Sequence, residues 1–118
     1  MPNSYIEVVK NDGKDKVTSI VEQDGMVQIR VSGGSQIKET AACIFKFHEH
    51  GQKVQVRAIG ASAVNQMYKA LATTCILFAQ KGKIARIRPG YDKIDIWDRN
   101  RKKRVEKTIM VAYIDVED

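Results

Sequence analysis

Five of the six residues from Arg99 to Arg104 are cations (Arg99, Arg101, Lys102, Lys103 and Arg104), and Lys107 follows three places on. Such a run has the chemistry of a polyanion contact. An arginine presents a planar fork of N–H donors that matches a phosphate bidentately, and a lysine presents a compact point charge. On a nucleic acid each contact releases condensed counterions, so binding through this run is salt-dependent. Contacts of that kind position a protein without reading bases. The alternative is a solvated, self-repelling turn. Trp97 and Tyr91 stand close by, where they could stack on bases or close the open end of a sheet core.

Other groups with reactive potential are sparse. Val56 to Ala70 (VRAIGASAVNQMYKA) reads as a buried strand that turns at Gly60 directly into a long apolar helix. That junction points helix N-terminal amides at one edge of a sheet, a place suited to an anion or phosphate. Asn65 and Gln66, on the first turns of the helix, either donate to a ligand or a second subunit or simply stand as exposed amides. Ser32-Gly33-Gly34-Ser35 could cradle a phosphate, but reads better as a plain connection. His48 and His50 are two apart near a helix end and point to different sides, a poor metal pair. Carboxylates are scattered, no Ser or Cys sits near a base, and the expectation is a non-enzyme with no cofactor and no metal.

The elements that must carry these residues follow from periodicity. Met26 to Val31 alternates strictly, with Val27, Ile29 and Val31 on one face. After the Ser32–Ser35 loop, with Ser35 as expected N-cap, Ile37, Ala41, Ile44, Phe45 and His48 recur at helical spacing, and Gly51 closes that helix. Lys53 to Ile59 alternates again. A second helix runs from about Ala61 to Gln80 and is closed by Gly82. Lys83 to Arg88 is a strand ended by Pro89-Gly90, a turn or bulge signal. Extended alternation resumes over Tyr91 to Trp97, Asp98 to Lys103 has the polarity of a hairpin tip, and Val105 to Val116 returns as a long strand. The order β-α-β-α-β-β makes an α/β two-layer sandwich, two helices on one face of a four-stranded mixed sheet. Residues 26–118 form that domain. Residues 1–25, with an Asn11-Asp12-Gly13 turn signal between two alternating runs, are an extension that is either a hairpin or a flexible arm.

The second helix carries one charge, Lys69, between Ala61 and Ala79. A helix apolar nearly all round is covered on more than one side. The expected second cover is another subunit over Leu71, Thr74, Ile76 and Phe78, making a homodimer or higher homo-oligomer.

The net charge of +6 is unevenly placed. Arg99 to Lys107 contributes +5 and Lys81 to Arg88 +4, leaving −3 for the rest, so two basic patches ride on a mildly acidic body. Met1 to Lys10 is too polar for a cleavable signal, and the longest apolar-rich stretch, Ala70 to Ala79, falls short of a membrane span. Cys43 and Cys75, in neither a CxxC nor a His-ligand spacing, read as small core hydrophobes. The expected location is cytoplasmic, without membrane contact.

The core AIGA-x-A-x-NQM-x-KA of the Gly60 junction resembles the signature of the stage V sporulation protein S family, part of the wider Alba-like group of nucleic-acid-binding proteins. The resemblance runs over roughly Met26 to Val116, and Ile87-Arg88-Pro89-Gly90-Tyr91 is similar to that family's strand-Pro-aromatic step. It implies an Alba-like fold and a small regulatory protein that binds DNA or RNA. In Alba proteins the corresponding β-hairpin arm contacts DNA, which agrees with the basic run. Alba proteins also carry lysines before the first helix and arginines around the glycine that opens the second. Here Ser32–Ser35, Ile59 and Ala61 stand in those places, and Arg57 and Lys38 are the remnants of that basic floor. The nucleic-acid-binding residues expected are therefore Arg99, Arg101, Lys102, Lys103, Arg104, Lys107, Arg57 and Lys38. The competing reading is an oligomeric protein-interaction module whose basic arm docks an acidic protein.

Overall fold

The chain order is β1 (Tyr5–Lys10), β2 (Val17–Gln23), β3 (Met26–Val31), α1 (Ile37–Glu49), β4 (Lys53–Ala58), α2 (Ala61–Gln80), β5 (Ile84–Asp98) and β6 (Lys103–Glu117). The computed structural model describes residues 5–10, 17–23 and 25–117. The strands form one mixed sheet in the order β1-β2-β3-β4-β6-β5. Among the described strands only β3 and β4 pair in parallel, as a strand–helix–strand crossover through α1 requires.

This is an α/β fold whose β3-α1-β4-α2-β5-β6 order follows the alternating patterns of the sequence. The sheet is six-stranded rather than four-stranded, because β2 pairs with β3 and β1 with β2. Ile20 explains the attachment: it lies opposite Ile29 and is fully buried with it in the main core. The turn expected at Asn11-Asp12-Gly13 lies outside the described residues.

Both helices pack on one face. Val27, Ile29 and Val31 of β3 and Val54, Val56 and Ala58 of β4 point toward them and meet Ile44 of α1 and Met67 and Leu71 of α2. Gln28, Arg30, Gln55 and Arg57 take the alternate positions and therefore face the open side. The long helix α2 is covered largely from within the chain, since Leu71, Thr74 and Phe78 are all buried. The Phe78 ring packs 4.7 Å from Phe45 and 5.4 Å, edge-on, from His48 of α1. Of the four residues expected against a second subunit, Ile76 alone is exposed, at 57%. The neighbouring helix supplies the cover that composition assigned to another chain.

Local rules also show where the expected helix start differs. Gln36, not Ser35, precedes α1, and no side chain caps it. Ser35 is buried, and its Oγ accepts the Ser32 N–H at 2.9 Å, closing the loop on itself. At the other end Gly51 takes φ 79°, with Gly51 N–H donating to the His48 carbonyl and Gln52 N–H to Phe47, a helix stop that glycine makes cheap.

The largest departure is β5. Pro89-Gly90 neither turns nor bulges the chain: Pro89 lies opposite Ala112 and Gly90 opposite Val111 in a register unbroken from Ile84↔Glu117 to Asp98↔Lys103. As the edge strand of the sheet, β5 tolerates a residue without an N–H.

Candidate nucleic-acid interface

β4 pairs with β6 only from Gln55↔Tyr113 to Ala58↔Met110. Beyond Met110, residues 103–109 of β6 have β5 alone beside them, so the last seven residue pairs stand off the sheet as a two-stranded arm. At about 3.3 Å per residue this arm reaches roughly 20 Å. It carries its own cross-strand support. Lys93 Nζ lies 3.4 Å from Glu106, and Ile94, Ile96, Val105 and Ile109 share the face turned away from the helices.

The tip is a defined turn. Asp98 Oδ1 accepts the backbone N–H groups of Asn100 at 2.9 Å and Arg101 at 3.2 Å, and Lys102 takes the left-handed φ of 53°. An aspartate that bonds the backbone two and three residues on is a turn device in its own right. It holds the loop while Arg99, Arg101, Lys102, Lys103 and Arg104 all point into solvent. Arg101 leans toward Asp98 at 3.6 Å, a weak exposed pair. Lys103 and Lys107 lie on the open face of the arm, opposite Asp98 and Ile94, while Arg104 shares the other face with Trp97. Tyr91 and Trp97 are 65% and 56% exposed on that second face, so neither closes the sheet core.

The remaining expected cations are not gathered at the tip. Arg57 lies on the open face at the arm's root, where its Nη2 donates to Asp92 Oδ2 at 3.1 Å. Its Nε is buried and has no hydrogen-bond partner among the described residues. Lys38 is exposed on the first turn of α1, in the helix layer, on the other side of the sheet from Arg57.

Sequence reasoning missed what surrounds Arg57. The parallel register sets Arg30 of β3 beside it. Both arginines line a cavity of about 510 Å³ with Ser32, Gly33, Gly60, Ser62, Ile94 and Ile109 among its walls. The cavity sits beyond the carboxyl ends of the two parallel strands, against the start of α2, the position where open α/β sheets hold ligands. Gly60, at φ 91°, precedes that helix without a side-chain cap, and its first turn contains no acid. The site thus combines two guanidinium groups, an uncapped helix start and an apolar wall from the arm, a combination suited to an anion with an apolar portion. The readable signal was the alternation that put Arg30 and Arg57 on the same side of neighbouring strands.

Gln66 is engaged inside the chain. Its Nε2 donates to the Ser35 carbonyl at 2.9 Å and ties α2 to the β3–α1 loop, whereas Asn65 is exposed. Among the described residues no three of His, Cys, Asp or Glu could hold a metal ion, and no described helix is long and apolar enough to cross a membrane.

The sequence matches the family described as Stage V sporulation protein S (SpoVS) over residues 27–112, from β3 to the part of β6 that pairs with β4. No curated protein matches it.

Proposed function

The chain belongs to the stage V sporulation protein S family, and on that premise we propose that it is a small cytoplasmic regulator in sporulation that binds nucleic acid, DNA or RNA. Binding is mainly to phosphates, through the arm of β5 and β6, in a non-enzymatic homodimer or larger homo-oligomer with an Alba-like arrangement of the domain. The observation that carries this reading is the tip: five exposed cations in six consecutive positions, on a turn organised by Asp98 and held clear of the sheet. A concentration of exposed positive charge on a projecting element is the electrostatic footprint of a polyanion ligand. Lys103 and Lys107 continue it along the open face toward Arg57 and Arg30, so a phosphate backbone laid on that face meets cations from tip to root.

The test is a salt titration with DNA, RNA and a non-nucleic polyanion. Changing Arg101, Lys102, Lys103 and Arg104 together to serine is expected to make the slope of log affinity against log salt shallower, by up to roughly 0.9 per lost phosphate contact on duplex DNA. Affinity falls alike for unrelated sequences, because these contacts carry no base information. Unchanged nucleic-acid binding removes the reading. Weak, equal binding to every polyanion favours an arm that docks an acidic protein.

A further inference from the structure

β5 is the outermost strand of the sheet, fifteen residues long, with β6 on one side and, among the described residues, no strand on the other. A long unpaired edge is a template for another strand unless something blunts it. Here one half of the edge is self-complementary. In an antiparallel pairing of two copies about a two-fold axis at residue n, residues equally distant from n lie opposite each other on the same face. Centred on Ile94, Lys93 meets Asp95 of the second copy, Asp95 meets Lys93, and Tyr91 and Trp97 meet in the same reciprocal way. Ile94 meets its own copy on the other face.

Neighbouring registers are disfavoured. An axis at residue 92, 93 or 95 sets Asp92, Lys93 or Asp95 directly against its own copy, which is repulsive. An axis at residue 90 puts Pro89 in the middle of the ladder. It also takes Arg88 and Asp92 from Asp115, at 3.3 Å, and Arg57, at 3.1 Å, two existing pairs, whereas an axis at Ile94 draws on one, Lys93 with Glu106 at 3.4 Å. Axes at residues 91 and 96 bring no opposite charges together.

The single chain also leaves Asp95, Tyr91 and Trp97 with unmet interactions. Asp95 is directly opposite Glu106 within the hairpin, a like-charge pair, and has no ion-pair partner among the described residues. Tyr91 and Trp97 are both largely exposed on the same face as Lys93 and Asp95.

The geometry points to a second copy of this chain as the partner of the β5 edge, paired antiparallel about Ile94 over Gly90 to Asp98. The six-stranded sheet continues through the interface into its copy. The arms then run in opposite directions, and the basic tip of each copy lies beside the other's arm root, with Arg99 opposite Pro89. This deepens the oligomeric part of the proposed function by naming the surface, and it does not depend on nucleic-acid binding.

The experiment uses the full-length chain without nucleic acid. Directly opposed Cβ atoms of an antiparallel pair are about 4.5–5.5 Å apart, close to the span of a disulfide. Under mild oxidation Ile94→Cys is expected to form a covalent dimer readily. Lys93→Cys and Asp95→Cys are expected to do so slowly when alone and quickly when mixed, with the unsubstituted protein as control for Cys43 and Cys75. In sedimentation, Lys93→Asp is expected to weaken the dimer by roughly tenfold or more through like charges at both reciprocal pairs. Lys93→Asp combined with Asp95→Lys restores it. A native dimer whose fastest cross-link is at position 93 or 95 alone, or which ignores the charge reversal, overturns this register and leaves the oligomeric reading standing. A monomer at tens of micromolar, a concentration that reveals ordinary affinities, overturns both.

Discussion

Arg57 on the central strand β4 reaches across β6 to Asp92 on the edge strand β5, closing 3.1 Å from its carboxylate. The arginine side chain is 16% exposed and the aspartate 58%. The pair brings together the body of the sheet and the first residue pair of the arm, Asp92↔Ile109. A cation that resemblance assigns to ligand contact therefore also braces the element that carries the basic tip.

Replacing Asp92 by Asn is expected to loosen that brace while the fold stays intact. An ion pair exposed at one end is worth up to about 1 kcal/mol, so the melting temperature should move little. Hydrogen exchange is the sensitive measurement. Amides of residues 92–98 and 103–109 should exchange faster and those of α1 unchanged, since local openings report local stability. Uniform acceleration over the whole chain would contradict a role confined to the arm.

Gly33 is a steric requirement. A Cβ built there would lie 2.3 Å from Ser62 Oγ and 3.0 Å from Ser62 Cβ. The Ser62 hydroxyl would have to rotate away, and the β3–α1 loop would have to back off the first turn of α2 by a few tenths of an ångström. Gly33→Ala is expected to cost about 1–3 kcal/mol, the range for overpacking. Adding Ser62→Gly, which removes both clashing atoms, should recover most of it. Denaturant midpoints of the single and double variants measure the coupling.

Phe78 and Ile76 are two residues apart on α2 but belong to different environments. Phe78 is fully buried between Phe45 and His48, so Phe78→Ala should cost about 3–5 kcal/mol. Ile76→Asp, at an exposed position, should stay within about 0.5 kcal/mol. Equal losses in urea unfolding would mean that α2 is covered on its outer face as well.

The thiol of Cys75 is half-buried, with its Sγ 3.7 Å from the Ala85 carbonyl, and burial pushes its pKa above the ordinary value. The thiolate is the reactive species. Alkylation of native Cys75 should therefore be slow and accelerate only at a pH higher than that needed in the unfolded chain. Because the unfolded thiol loses its proton first, this group's contribution to stability is complete below the unfolded pKa and declines as pH rises above it. Coincident pH profiles for native and unfolded protein would refute the burial.

Local patterns were sufficient for much of this protein. The alternation of Val27, Ile29 and Val31 marked their core face, because side chains of a strand point to opposite sides in strict turn. Gly60 and Gly82 bracketed α2 to the residue, since both take the positive φ that other residues resist. The charge density of Arg99 to Arg104 and the hairpin that presents it were equally local features. Contacts distant in sequence depended on tertiary pairing. Pro89-Gly90 reads locally as a break, yet the chain stays extended there because the register with Ala112 and Val111 holds it and the edge position tolerates the proline. Phe78 reads as a residue needing a second subunit until α1 is laid beside it. Arg30 and Arg57, far apart in sequence, become neighbours only through parallel pairing, and Arg57 meets Asp92 only when β6 comes between them. Spacing along the chain determines which side of an element a residue takes, while the register of strands joined from distant segments determines what that residue meets.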